Sequence, residues 1–225
     1  MKQLKVIALL FLTLAVQNIF AQETMNLEHF DQIYATGIIQ VTLQKGEEEK
    51  IELKLDNFHR EDVKVRVNDE ELRISVTKSL IKDARIEIIV TYKELRRIKA
   101  NAGAHITSKN PITGDKLNLK ATSGSEIEIE LELNKLHARL AEGAQMHLSG
   151  TTKSLDISSA SGAVFYGFNL ESDNTFANAN TGGRAEVVAN KSIEASANTG
   201  GRVSYKGNPT EKKLKDYFGG EVGEY

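Results

Sequence analysis

The hexapeptide ANTGGR spans residues 179–184 and returns unchanged at 197–202. Aligning outward from its first glycine brings four weaker copies into phase: Asn101-Ala102-Gly103-Ala104-His105-Ile106, Thr122-Ser123-Gly124-Ser125-Glu126-Ile127, Ala141-Glu142-Gly143-Ala144-Gln145-Met146 and Ala160-Ser161-Gly162-Ala163-Val164-Phe165. The glycines at 103, 124, 143, 162, 182 and 200 are separated by 21, 19, 19, 20 and 18 residues. Six copies at so regular a spacing define a structural repeat.

The period selects the architecture. A βαβ unit needs about 30 residues, and the L-x-x-L-x-L-x-x-N spacing of leucine-rich repeats is absent. Each copy instead reads strand, glycine corner, strand. Leu117 and Leu119 alternate with Asn118 and Lys120, the chain turns through Ala121 to Ser125, and Ile127, Ile129 and Leu131 alternate with Glu126, Glu128 and Glu130. Coils of this kind stack with parallel strands about 4.8 Å apart around a continuous interior. The predicted fold is therefore all-β, a parallel β-solenoid or β-helix, right-handed because about 98% of parallel crossovers are.

Offsets from the repeat glycine separate inside from outside. Position +3 holds Ile106, Ile127, Met146, Phe165, Ala185 and Val203, and position −5 holds Ile98, Leu119, Ala138, Ile157, Ala177 and Ala195, all apolar. Position −4 is polar throughout, from Lys99 and Lys120 to Ser196. Small residues at −3 and +1 predict thin coils. Upstream, five runs alternate with period 2: Ile39 to Leu43, Ile51 to Leu55, Val63 to Val67, Leu72 to Val76 and Ile86 to Val90. These β-branched, half-polar runs predict strands, with a hairpin turn at Asn68-Asp69.

Composition bounds the function. The 225 residues carry 29 Lys and Arg against 31 Asp and Glu, a formal charge of −2, which gives no electrostatic footing for nucleic acid or an anionic membrane. The absence of Cys excludes disulfides, thiolate metal sites, Cys nucleophiles and a lipid attached through Cys. Lys2 and Lys5 precede an apolar run from Val6 to Val16, which is shorter than the roughly 20 residues a bilayer span requires. With Ala21 as a cleavage point, this reads as a signal peptide that leaves Gln22 first. The mature chain has no other candidate transmembrane segment. An exported protein is expected, in the periplasm, on the outer-membrane surface or secreted. The division is then a signal peptide over 1–21, a β segment over 22–97 capping the solenoid, solenoid repeats over 98–209, and a cap or flexible tail over 210–225.

The signal segment, the alternating N-terminal strands, the Ser-Gly-Ala and Ser-Gly-Ser corners and the closing V-x-Y-x-G-x-P from Val203 to Pro209 resemble the head GIN domain family, the putative auto-transporter adhesins, over roughly residues 28–209. The resemblance implies a β-solenoid in the envelope or outside the cell. It carries over no catalytic motif.

The residues themselves offer little chemistry. His105 sits at +2, His147 at +4 and His137 at −6, so the histidines are not expected to converge on a metal. Glu126, Glu128 and Glu130 lie along one strand at about 6–7 Å steps, a spacing that could gather a cation and equally suits a solvated face. Gly182-Gly183 and Gly200-Gly201 lack the following helix that a phosphate loop needs, and no G-x-S-x-G is present. No cofactor, metal or catalytic residue is assigned, and the chain is not expected to be an enzyme.

What remains are the outward columns. Lys99, Lys120 and Arg139 share offset −4 on consecutive coils, and Arg184 stacks on Arg202. Like charges so close repel, and guanidinium groups suit carboxylate or phosphate oxygens. These five residues are the candidate ligand-binding positions. The readings left open are an adhesion or ligand-binding module for a glycan or surface protein, a periplasmic structural or envelope-maintenance protein, and, less favoured, a carbohydrate-active enzyme.

Overall fold

A computed structural model describes residues 21–56, 59–76 and 85–225. The signal peptide read over 1–21 lies, apart from its last residue, outside them. The strands in chain order are β1 (Ala21–Asn26), β2 (Gln32–Thr36), β3 (Gln40–Lys45), β4 (Lys50–Asp56), β5 (Val63–Asn68), β6 (Glu71–Val76), β7 (Arg85–Tyr92), β8 (Arg97–Asn101) and β9 (His105–Ser108). There follow β10 (Ile112–Ala121), β11 (Glu126–Leu140), β12 (Gln145–Ala160), β13 (Val164–Asn180), β14 (Arg184–Val188), β15 (Ser192–Asn198), β16 (Arg202–Lys206), β17 (Glu211–Tyr217) and β18 (Glu221–Glu224). The described residues contain no α-helix, only one 3-10 turn at Arg60–Asp62.

From β8 onward the chain winds as a β-solenoid. The leading face precedes each glycine corner and is built by β8, β10, the C-terminal parts of β11, β12 and β13, then β15 and β17, all parallel. The trailing face follows the corner and is built by β9, the N-terminal parts of β11, β12 and β13, then β14, β16 and β18. The three long strands bend without breaking, and two consecutive outward residues mark each bend: Asn134-Lys135, Lys153-Ser154 and Asp173-Asn174. Inward hydroxyls satisfy the backbone there, as when Thr152 Oγ1 donates to the Ser154 carbonyl (3.2 Å) and Ser172 Oγ to that of Asn174 (3.1 Å).

The corners share one geometry. The residue before each repeat glycine and the glycine itself both have positive φ, as in Ser123 (54°) with Gly124 (67°) and Thr181 (49°) with Gly182 (72°). The i to i+3 bond closes each turn, for example Gly183 N to Asn180 O at 2.9 Å. These are the features of a type I′ turn, whose second central residue favours glycine. The glycine N–H is not lost at the corner: Gly124 donates to Glu142 O (3.0 Å) and Gly143 to Ser161 O (3.1 Å) on the next coil. The ladder thus runs through the corner unbroken.

The same geometry recurs at Phe218 (46°) and Gly219 (74°), which gives seven glycine corners from Gly103 to Gly219. Strands β17 and β18 therefore add one more coil over the segment read as a cap or tail. Toward the N-terminus, β2 and β3 stack in parallel on β8 and β9, and β6 and β7 stack on β2 and β3. Only beyond them does the pairing turn antiparallel, with β5 on β6, and β4 then β1 on β7. The β5–β6 hairpin turns on Asp69 (φ 49°) and Glu70 (φ 60°), one residue later than the sequence pattern places it.

One continuous core fills the stack, and its filling changes along the axis. Phe30, Ile33, Leu43, Ile51 and Leu72 pack the N-terminal coils, whereas Ala177, Ala179, Ala185, Ala195 and Ala197 pack the later ones. Smaller inward residues bring the walls closer together. At Ala104, Ala144 and Ala163 a methyl group fits at offset +1, but at Gly183 a Cβ would lie 2.3 Å from the Ser159 carbonyl oxygen, and at Gly201 2.2 Å from that of Ala179. Gly182 has open space at its Cβ position and only its positive φ to defend. Gly183→Ala should therefore destabilise by about 3 kcal/mol through overpacking, against about 1 kcal/mol for the strain in Gly182→Ala. Urea unfolding midpoints compare the two, and equal losses would show that the corner is not crowded.

Candidate functional site on the trailing face

The leading-face ladder has the predicted register, with Lys99 beside Lys120 and Lys120 beside Arg139. Its charges are mostly engaged. Lys99 Nζ donates to Glu71 Oε2 at 2.9 Å, and Arg139 grips Asp156 with two bonds of 3.0 and 2.9 Å. On the trailing face, Arg202 pairs with Glu221 at 2.6 Å. Among the described residues Lys120 and Arg184 have no ion pair. Lys120 borders a hollow of about 290 Å³ shared with Tyr34, Arg73, Lys99, Asn101 and Thr122. Arg73 and Lys99 both approach the Tyr34 ring, at 5.7 and 5.9 Å from its centroid. The Asn180 and Asn198 positions also stack, but Asn180 bonds to Asn178, which in turn donates to Ser196 Oγ at 2.9 Å.

The paired acids report these contacts in their acidity. Burial pushes the Glu71 carboxyl up, but hydrogen bonds and charge from Lys99 and Arg73 outweigh it and hold it below the usual range. Burial likewise raises Asp156, and Arg139 with His137 more than reverses the effect. A depressed folded pKa contributes stability above the unfolded value near 4, which is lost as pH falls through the folded value. Arg139→Ser should therefore cost about 0.5 kcal/mol at pH 7 after solvent screening, with the difference from the parent vanishing as Asp156 protonates below about pH 4. Lys99→Ser should cost more, about 1–2 kcal/mol, because the Glu71 side chain it serves is only 9% exposed. Thermal melts of both variants and of Lys120→Ser across this pH range check the order.

The larger concavity lies on the trailing face. Outward residues there form two columns: Gln40, His105, Glu126, Gln145 and Val164 at offset +2, and Thr42, Thr107, Glu128, His147, Tyr166 and Glu186 at +4. Along the second column the His147 and Tyr166 rings stack, 4.3 Å between centroids and 14° between planes. Next to them the register between β12 and β13 shifts: His147 faces Tyr166, but Ser149 faces Asn169. The extra residue is a β-bulge at Gly167-Phe168, and it re-aims Phe168 toward the outer side, as bulges do. Gly167 is required, since a Cβ would lie 2.3 Å from the Phe165 ring and 2.7 Å from the Glu186 carbonyl oxygen. Phe168 meets the Tyr225 ring at 4.7 Å, and Lys206 Nζ sits 4.1 Å from the Phe168 centroid.

The result is a groove of about 680 Å³ crossing several coils, lined by Tyr166, His147 and Phe168 together with Glu128, Glu130 and Glu186. The sequence did hold a trace of it, since the spacing from Gly162 to Gly182 is 20 where its two predecessors are 19. Beside the groove the histidines remain on separate coils, as their offsets imply. The carboxylates between them, however, reach both: His147 Nε2 lies 3.5 Å from Glu126 Oε1, and His105 Nε2 4.0 Å from Glu128 Oε2. Donor atoms of His105, Glu126 and Glu128 all fall within 4.8 Å of one another, so these three could hold a metal ion.

Residues 29–209 match the family described as "Putative auto-transporter adhesin, head GIN domain". The chain belongs to this family. Its fold is shared with a crystal structure of a putative adhesin from Bacteroides fragilis, at 21% identity and a TM-score of 0.81, covering 91% of this chain and 96% of that one. A putative adhesin from Parabacteroides merdae is similar at 18% identity and a TM-score of 0.71, covering 91% and 95%. A structure described as a putative lipid binding protein from Parabacteroides distasonis is similar at 16% identity and 0.69, covering 91% and 96%. No curated protein matches the sequence significantly. No helix among the described residues is long and apolar enough to cross a membrane.

Proposed function

We propose that this head GIN domain protein is an exported, non-catalytic adhesion module whose trailing-face groove binds a glycan. The observation that carries the reading is the bulge at Gly167-Phe168, which places Phe168 beside the stacked His147 and Tyr166 within one groove. Aromatic faces pack against the apolar faces of sugar rings, and lining carboxylates, amides and hydroxyls accept or donate to sugar hydroxyls. Glu128, Glu130 and Glu186 make the lining acidic, which favours a neutral glycan there. The family description supports adhesion in preference to turnover.

The hollow around Lys120 supports a second, anion-binding surface, since Lys120 has no ion pair among the described residues and Tyr34 lies beside it. A glycan array on the mature protein separates the two. Tyr166→Ala and Phe168→Ala should each weaken neutral-oligosaccharide binding about tenfold, the equivalent of about 1.4 kcal/mol, while Phe176→Ala on the leading face leaves it unchanged. Lys120→Ser should instead weaken an acidic polysaccharide in a salt-dependent way. Absence of any glycan binding, or release of reducing ends from a bound glycan, would overturn the reading.

Export is part of the proposal, supported by the basic and apolar character of the first 21 residues. Mass measurement of protein recovered from the cell envelope should show a chain beginning near Gln22, and full-length protein in the cytoplasm would count against it.

A further inference from the structure

We propose that His105, Glu126 and Glu128 form a binding site for a divalent transition-metal ion of the zinc class on the trailing face. The solenoid register brings them together. His105 and Glu126 are paired neighbours at offset +2 on adjacent coils, and Glu128 follows two residues along β11, on the same outward side. Their donor atoms lie within 4.8 Å of one another, so small rotations of the exposed carboxylates bring all three within bonding distance of one ion.

The nitrogen of His105 points to an ion beyond what an acidic cluster would show. His105 Nε2 is shielded from solvent yet has no hydrogen-bond partner among the described residues. The nearest carboxylate oxygen, on Glu128, is 4.0 Å away, too far for a hydrogen bond. Two ligands on a metal at bond lengths of about 2.0–2.1 Å stand about 3.4 Å apart in tetrahedral geometry, so closing the site needs His105 and Glu128 to approach by about half an ångström and no pair to approach by more than about 1.4 Å. A shielded ring nitrogen without a hydrogen-bond partner, close to two carboxylates, is a donor set that an ion would complete.

The donors also select among ions. One imidazole nitrogen with two carboxylates suits zinc or cobalt, whereas calcium and magnesium prefer oxygen donors alone. His147, stacked on Tyr166, places its Nε2 3.5 Å from Glu126 Oε1, so a second imidazole stands beside the same carboxylate. Three protein donors leave at least one coordination position open, as in metal sites that take an exogenous ligand.

Isothermal titration of tag-free, chelator-treated protein with Zn²⁺ tests the site without any glycan, so its outcome is separable from the groove reading even though Glu128 borders both. One Zn²⁺ should bind per chain, Co²⁺ should substitute for it, and Ca²⁺ and Mg²⁺ should bind at least tenfold more weakly. His105→Ala should lower Zn²⁺ affinity at least tenfold, and Glu126→Gln with Glu128→Gln should abolish binding. His137→Ala, next to Asp156 on the other face, should bind as the parent does. Metal-free melting curves that match the parent show that the variants are folded. No zinc uptake, or unchanged affinity in both His105→Ala and the double glutamine variant, would overturn the assignment.

Discussion

Each solenoid residue is held about 4.8 Å from its counterpart on the next coil by backbone hydrogen bonds, and the corners keep those bonds in phase. At every corner two successive residues take positive φ, and from Gly103 to Gly182 the glycine N–H still reaches the neighbouring coil. A chain that turns without interrupting its ladder cannot drift in register. Inward positions therefore stack on inward positions and outward on outward, and this single constraint produces both the continuous core and the surface columns.

The constraint acts unequally on the two sides of the wall. Inside, a change of volume in one coil must be matched by its neighbours, because interiors are close-packed. The alanines of the later coils and the crowded Gly183 and Gly201 are two sides of one adjustment: the walls approach, and the corner loses its last methyl group. Outside, nothing needs to match except charge. Adjacent outward residues in the +4 column run Thr107, Glu128, His147, Tyr166 and Glu186, with no like charges next to each other. In the like-charged column of Lys99, Lys120 and Arg139, acids from other columns intervene: Glu71 neutralises the first and Asp156 the last.

The division between inside and outside also explains what could be read from the sequence. Odd offsets from the glycine are inward at Ile106, Ile127, Met146 and Phe165 because period 2 along a strand and period 19 along the chain are both linear patterns. The final corner at Phe218-Gly219-Gly220 escaped that reading because Tyr217 stands where Asn180 and Asn198 stand in the copies before it, and because the flanking strand is rich in lysine. The N-terminal stacking order was not legible either, since β2 pairs with β8 across a separation of about 65 residues that no local pattern encodes. The bulge left a one-residue lengthening of the repeat, but only the register between His147 and Ser149 shows which residue is extra. The diagonal approaches of His105 to Glu128 and His147 to Glu126 depend on side-chain reach between columns, which offsets along a single column do not contain.

A site on such a wall has a form that follows from its construction. Each coil contributes one residue per column, so a groove crossing coils gathers side chains about 19 residues apart in sequence and runs along the solenoid axis rather than along a strand. Repeating contacts at about 4.8 Å intervals suit an extended ligand better than a compact one. Away from the bends a regular wall is nearly flat, because outward residues alternate with inward ones along each strand. Within the trailing face the bulge at Gly167-Phe168 breaks that alternation, giving Phe168 and Asn169 consecutive positions on the outer side. The protein thus obtains a shaped surface by inserting a single residue into one coil, leaving the Gly162 and Gly182 corners on either side in phase with the rest of the stack.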